Sequence, residues 1–165
     1  MTRPSADVMP TFSILDRLLD DEPSSTVEAA ATARADRLKA LARIKAAVKR
    51  DLEWLLNCKQ SIVERPDDLH HLDRSLLAYG LPDFSAVSLD DAREQERLLR
   101  AIESAIRRFE PRLTGVRARL EEGRGPDRSL RFRIDALLRL DPEPEPVTFD
   151  SLLHLGTKAF VVREA

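Results

Sequence analysis

The side chains that most often perform catalysis or hold metals are few in this sequence. There is one cysteine, Cys58, and there are three histidines, His70, His71 and His154. Adjacent side chains on a regular element point apart, so His70 and His71 do not form a ligand pair, and no cysteine or acid follows at metal-ligand spacing. No nucleophile signature surrounds Cys58. We therefore predict no metal site and no cofactor.

Carboxylates are numerous, since the chain has 29 Asp and Glu residues, but none is marked as reactive. A glycosidase needs two acids on either side of a substrate cleft. Pairs such as Asp51 with Glu53 occur throughout the sequence, and none lies in an apolar stretch that would raise a pKa. Aromatic residues make up only 5%, which leaves few rings to line a sugar groove. We predict no catalytic residues and a protein that is not an enzyme.

Arginines form the most distinctive charged group, because residues 112–139 are locally basic although the whole chain has a net charge of −2. A hairpin that turns at about residues 122–128 places four arginines on one face, in opposed pairs: Arg117 with Arg133 and Arg119 with Arg131. Opposed like charges are unfavourable, and a register slip of two residues would relieve them. Acids from elsewhere in the chain would neutralise this arginine patch; otherwise the patch would bind an acidic partner.

A further candidate site is the sequence Glu110-Pro111-Arg112, which we call the joint. Proline has no backbone N–H and disfavours a helical conformation in the residue before it, so a helix that reaches this point must end. Opposite charges flank the proline. They form either a local ion pair at a helix terminus or a docking site for another protein.

The elements that position these residues are helices before the joint and strands after it. Apolar residues recur at helical spacing over residues 26–57 and again from Ser88 to the joint. Ser88 and Asp91 have the spacing of a capping box for the second of these helices. A shorter apolar pattern over residues 11–20 predicts an amphipathic helix, which either packs on its own domain or binds a partner.

Beyond the joint, the apolar period changes from 3.6 to 2. Residues 116–120 and 130–140 alternate between apolar and polar side chains, which predicts a half-buried antiparallel hairpin. Two further strands are predicted at residues 147–155 and 159–163, after a stiff acidic connector. The last strand offers an open edge for a strand of another protein. That predicted edge comprises Phe160, Val161 and Val162.

Together these elements predict an α+β fold, with two long helices and shorter helices packed on one face of a mostly antiparallel sheet of about four strands. We expect an N-terminal arm over residues 1–25 and a single domain over residues 26–165. The sequence has no run of about 18 apolar residues, so we expect no membrane span. The first residues lack the apolar core of a signal peptide. The single cysteine fits a reducing cytosol, and the low net charge argues against nucleic-acid binding.

Four segments also occur in an order and spacing that is specific as a set. They are Asp51-Leu-Glu-Trp-Leu-Leu-Asn57, Tyr79-Gly-Leu-Pro-Asp-Phe-Ser85, Phe109-Glu-Pro-Arg-Leu113 and Leu130-Arg-Phe-Arg-Ile134. Together they resemble the TssE family of bacterial type VI secretion systems, which is related to the baseplate wedge proteins of contractile-tailed phages. The resemblance covers most of the chain. Cys58 departs from it, since relatives commonly have a small polar residue at this position.

The resemblance implies a structural subunit of a cytoplasmic baseplate, docked at the inner membrane of a Gram-negative bacterium. It implies anchoring through Glu110, Pro111 and Arg112 to the TssF, TssG and TssK subunits, around the VgrG spike. It also implies that the subunit starts sheath polymerisation by strand exchange with TssB and TssC at the sheet edge. A lysozyme label sometimes given to this family makes a peptidoglycan hydrolase the enzymatic alternative. An adaptor that binds an acidic peptide through the arginine patch is a third hypothesis.

Overall fold

The computed structural model describes residues 33–61, 70–84, 91–121, 129–141 and 143–164. Two α-helices come first: α1, Ala33–Asn57, and α2, Ala92–Phe109. Two short 3₁₀ turns lie between them, His70–Arg74 and Leu76–Ala78. The predicted helix at residues 11–20, the predicted arm and the first residues of the first predicted helix lie outside the described residues.

Four strands follow the helices. They are β1, Leu113–Leu120; β2, Ser129–Leu138; β3, Glu145–His154; and β4, Ala159–Glu164. They form one sheet in the order β1-β2-β3-β4, and every neighbouring pair is antiparallel. The α+β class and the four-stranded antiparallel sheet are therefore confirmed, and β1 and β4 are the two edge strands.

The core lies between the helices and one face of the sheet. The alternation in β2 does what its pattern predicts, because Phe132 and Ile134 are buried while Arg131 and Arg133 are exposed. Full burial of such a side chain contributes about 1.5–3 kcal/mol. The side chains that complete this core from the helices are Ile44, Val48, Leu52, Leu55, Leu56, Leu98, Ile102, Ala105 and Ile106.

The predicted register of the hairpin is wrong by two residues. Arg117 lies opposite Asp135, and Arg119 lies opposite Arg133. The pairing thus replaces one of the two predicted like-charge pairs with a pair of opposite charges, as the electrostatic argument favours. The register also shifts between Thr114 and Arg117, where β1 contains a bulge or irregularity that the alternation pattern does not reveal.

One smaller prediction about the helices is also corrected. The N-cap of α2 is Asp91, whose carboxylate accepts a hydrogen bond from the Arg93 N–H at 2.9 Å, rather than Ser88, which lies outside the described residues. On α1, Trp54 has 53% of its surface exposed. The Arg50 guanidinium lies 5.2 Å from the centre of its ring, in cation–π contact.

Candidate protein-binding site

The joint is fixed by backbone hydrogen bonds on both sides. The Glu110 N–H donates to the Ile106 carbonyl at 2.8 Å and so closes the last turn of α2. The Leu113 N–H donates back to the Glu110 carbonyl at 3.1 Å, and the chain then enters β1. The Arg139 N–H, just beyond β2, donates to the Arg112 carbonyl at 2.7 Å. The joint therefore has one defined conformation between helix and sheet.

The two charges of the joint face the protein interior. Glu110 is only 4% exposed. The Arg112 guanidinium donates to both carboxylate oxygens of Glu110, at 2.6 Å and 2.5 Å. It also donates to the Asp51 carboxylate on α1, at 2.5 Å. Hydrogen bonds to Glu110 raise the pKa of Arg112, and those to Asp51 add to the effect, so the guanidinium stays charged. Short charge-assisted hydrogen bonds of this kind offset part of the cost of burying the Glu110 carboxylate.

This arrangement connects three elements by one guanidinium. The sequence places the joint between α2 and β1, and the Asp51 contact adds α1. Asp51 in turn bonds Arg50 at 2.8 Å, the residue that stacks on Trp54. The structure thus shows Glu110 and Arg112 as an internal brace, and it leaves Pro111 as the exposed residue of the joint.

The four residues of the arginine patch all lie on the exposed face of β1 and β2. They are not equivalent, because Arg133 forms ion pairs with Glu121 at 2.9 Å and with Asp150 at 3.2 Å. The hydrogen bond to Asp150 and the nearby acids raise the pKa of Arg133. Acids of the same chain therefore neutralise one arginine of the patch.

The predicted open edge at Phe160, Val161 and Val162 is occupied by α1. The Phe160 N–H donates to the Asn57 side-chain oxygen at 2.9 Å, and the Asn57 amide donates to the Phe160 carbonyl at 2.9 Å. The Val162 N–H donates to the Glu53 carboxylate at 3.0 Å. We call these three bonds the α1 clasp. The side chains of Phe160 and Val162 are buried in the core, and only Val161 is half-exposed.

The other edge strand has a lighter cover. The Ala118 N–H in β1 donates to the Glu103 carboxylate of α2 at 2.9 Å. Nearby, Gly115 has φ of +64°, in the left-handed region, at the position where the β1–β2 register shifts. The sequence patterns did not identify Glu53, Asn57 and Glu103 as residues that bond the backbone of the edge strands. Their one signal is that each lies beside the apolar stripe of its helix, facing a predicted sheet.

Other chemistry finds no support among the described segments. No group of three or more His, Cys, Asp or Glu residues in them is arranged to hold a metal ion. None of the described helices has the length and apolar character needed to cross a membrane. Cys58 is a free, exposed thiol at the end of α1.

Comparison with known proteins adds one positive finding. None of the curated proteins compared matches the chain. The profile of a family described as "Baseplate wedge protein gp25" matches residues 42–143, from the middle of α1 through the joint to the connector after β2. The match covers more than half of the chain and confirms the resemblance seen in the sequence. The chain belongs to the baseplate wedge protein gp25 family.

Proposed function

We propose that this protein is a structural subunit of a type VI secretion baseplate, where it joins the baseplate wedge and initiates the sheath. The observation that supports this proposal most is the family match, which includes the whole joint. In this proposal residues 26–165 act as one domain and residues 1–25 as an arm. The subunit lies in the cytoplasm, in a baseplate at the inner membrane, beside the VgrG spike.

The joint supports an anchoring role through its rigidity. Because Arg112 is bonded to Glu110 and to Asp51, the turn that carries Pro111 is held against α1. A contact residue that is already fixed loses little conformational entropy when a partner binds. In the proposed complex, Pro111 contacts the TssF, TssG and TssK subunits directly, while Glu110 and Arg112 position it.

The test is co-purification with a TssF–TssG complex. Pro111→Glu alters the exposed residue alone, and we expect it to reduce recovery of the partners, whereas Pro82→Glu, at another exposed proline, does not. Arg112→Ala is expected to reduce recovery too, but it also removes the bond to α1, so its unfolding curve must be measured alongside. Full recovery with both Pro111→Glu and a folded Arg112→Ala protein would refute the anchoring role.

Glu110→Ala is a poor test of anchoring for the same reason. Removal of one partner from a buried ion pair costs about 3–5 kcal/mol. Because Glu110 is buried, this substitution is expected to destabilise the fold as well as to change the joint. A loss of partner binding in Glu110→Ala would not separate anchoring from folding.

Strand exchange with TssB and TssC remains part of the proposal, but it requires that the α1 clasp on β4 opens. A foreign strand at β4 must first displace Asn57 from Phe160 and Glu53 from Val162. We expect sheath formation in cells to depend on these residues. The measurement is the number of fluorescent sheath foci in a strain that produces Asn57→Ala or Glu53→Ala in place of the native protein; unchanged foci in both would remove β4 from the proposal.

The hydrolase alternative gains no specific support. Two cavities lie on the surface, and of the described residues that line them only Asp73 carries a carboxylate. A glycosidase needs a pair of acids across its cleft. A zymogram of the purified protein on cell-wall substrate distinguishes the two functions, since clearing that one acid substitution abolishes would favour the hydrolase.

A further inference from the structure

A groove lies beside the joint and crosses it at Pro111. It consists of two adjoining cavities, of about 770 Å³ and about 510 Å³, which share Arg107 and Pro111 in their linings. The larger cavity lies between the first 3₁₀ turn and the end of α2. The smaller one follows the beginning of β1, from Leu113 to Arg117. We call the two together the joint groove.

The joint groove is strongly cationic. Among the described residues that line it, one is acidic, Asp73. Its basic side chains come from four parts of the chain: His71, Arg74, Arg107, Arg108, Arg117 and Arg139. The described residues form no ion pair with Arg74, Arg108 or Arg139, in contrast to Arg133 of the arginine patch. Arg107 pairs with Glu103 at 3.7 Å, so the charge of the groove that the described residues leave without an ion pair is that of Arg74, Arg108 and Arg139.

The helix dipole does not account for this charge. Basic residues favour the last turn of a helix, which explains Arg107 and Arg108 at the end of α2. Arg74 lies in a 3₁₀ turn and Arg139 follows β2, so neither belongs to that turn. Like charges that converge from separate elements disfavour the free state, unless a ligand of opposite charge compensates them.

The floor of the smaller cavity suits an extended peptide. Pairing of β1 with β2 is irregular between Thr114 and Arg117, and the lining includes the backbone of Gly115 within this stretch. A Cβ placed on Gly115 would have its nearest neighbour at 4.0 Å, so the space above it is open. Irregularly paired backbone at a sheet edge offers hydrogen-bonding groups to an added chain.

We propose that the joint groove binds an extended acidic segment of a protein partner. The proposal rests on the anchoring role of the joint for the position of the partner, and it adds the chemistry that the partner presents there. Single-stranded nucleic acid fits less well, because none of the described residues that line the groove is aromatic and could stack on a base. The arginine patch is a separate surface, on the opposite face of the sheet from the helices, and shares only Arg117 with the groove.

The test needs only the purified full chain. The probe is a fluorescent peptide of about ten alternating Glu and Gly residues, which spans about 30 Å when extended. Binding is followed by anisotropy in about 0.05 M and about 0.3 M salt, because screening weakens contacts between exposed charges. We expect binding that salt reduces, and no binding of a peptide with Lys in place of Glu.

Matched charge reversals locate the binding site. The double variant Arg74→Glu with Arg108→Glu is expected to weaken binding about tenfold. The control, Arg93→Glu with Arg100→Glu, makes the same change in net charge on the exposed surface of α2 outside the groove, and we expect less than about a twofold effect. Circular dichroism checks that both variants are folded.

Three results would overturn the proposal. They are absence of peptide binding at low salt, equal losses in the groove and control variants, and tighter binding of a ten-residue oligothymidylate that competes with the peptide. Absence of peptide binding would not refute the anchoring role of the joint, which the co-purification of Pro111→Glu tests independently. Conversely, peptide binding with normal recovery of TssF and TssG by Pro111→Glu would support the groove while refuting anchoring by Pro111.

Discussion

The two edges of the sheet are protected to different degrees. At β4, three hydrogen bonds from Asn57 and Glu53 engage the outward backbone groups of Phe160 and Val162. At β1, the described residues provide one such bond, in which the Ala118 N–H donates to the Glu103 carboxylate. Exposed strand edges invite pairing with other chains, and proteins block them with side chains or neighbouring elements. The helix beside an edge therefore decides whether that edge is open.

The stronger protection at β4 depends on how firmly the end of α1 is held. The segment after α1 pairs with the chain around Gly80: the Leu81 N–H donates to the Cys58 carbonyl at 2.9 Å, and the Gln60 N–H donates to the Leu81 carbonyl at 2.8 Å. A Cβ on Gly80 would lie 2.3 Å from the Cys58 carbonyl oxygen. The end of the helix that carries Asn57 is therefore fixed by a close backbone contact that only glycine permits.

The largest effect is expected for Gly80→Ala. The new methyl collides with the Cys58 backbone, and φ of +100° disfavours any side chain, so we expect a loss of about 3 kcal/mol or more. Urea unfolding measures it. Gly156→Ala is the matched control, since nothing lies within 4 Å of the added Cβ, and it is expected to change stability by less than about 0.5 kcal/mol. Equal effects in the two variants would contradict this account of the α1 terminus.

Asn57→Ala should have the next largest effect. It removes both bonds to Phe160 and leaves a backbone donor and a backbone acceptor without partners, at a cost of about 2 kcal/mol. We also expect self-association that increases with concentration, detected by analytical ultracentrifugation, because the β4 edge becomes available. Asn57→Asp keeps the acceptor for the Phe160 N–H and should lose less. A monomeric, fully stable Asn57→Ala protein would show that the clasp is dispensable.

Glu53→Ala and Glu103→Ala test the two edges separately, and each is expected to cost less stability than Asn57→Ala. Each removes the acceptor of one outward N–H, at a cost of about 1 kcal/mol. Hydrogen exchange resolves the difference, since Glu53→Ala should accelerate exchange at Val162 alone and Glu103→Ala at Ala118 alone. Acceleration of both amides by either variant would mean that the two edges are coupled.

Gly115→Ala is expected to have a similarly small effect, about 1 kcal/mol, from its φ of +64°. There is open space around the added methyl group, in contrast to Gly80. The measurement is again urea unfolding, with Gly80→Ala as the reference. A loss as large as that of Gly80→Ala would mean that the bulge in β1 is held as firmly as the end of α1.

The local patterns predicted the elements well because each depends on its own residues. The period of 3.6 ending at Pro111 and the alternation from Leu130 to Leu138 reflect which side chains face one core. The register of the hairpin was not predictable in the same way. The register beside the turn is set by the turn and its length, and the irregular pairing around Gly115 then adds a shift of a single residue, which no repeating pattern encodes.

The sequence predicted where the candidate site lies, but not which of its side chains are buried or which residues they bond. Pro111 marked the joint, but the pattern showed neither that Glu110 is buried nor that Arg112 bonds Asp51, 61 residues away in the sequence. The closure of the β4 edge likewise depends on the reach of Asn57 and Glu53 across the fold. Polar side chains have many available partners, and only the packed structure selects among them.

The α1 clasp also bears on how the polypeptide folds as it is synthesised. Asn57 and Phe160 are 103 residues apart, so the ribosome makes the helix long before the strand that its amide will hold. Contacts of such sequence separation form late, after the loop-closure entropy has been overcome. In that interval Asn57 cannot contact Phe160, although its amide can still donate to the Glu53 carbonyl of the same helix, and the nascent chain is open to wrong pairing.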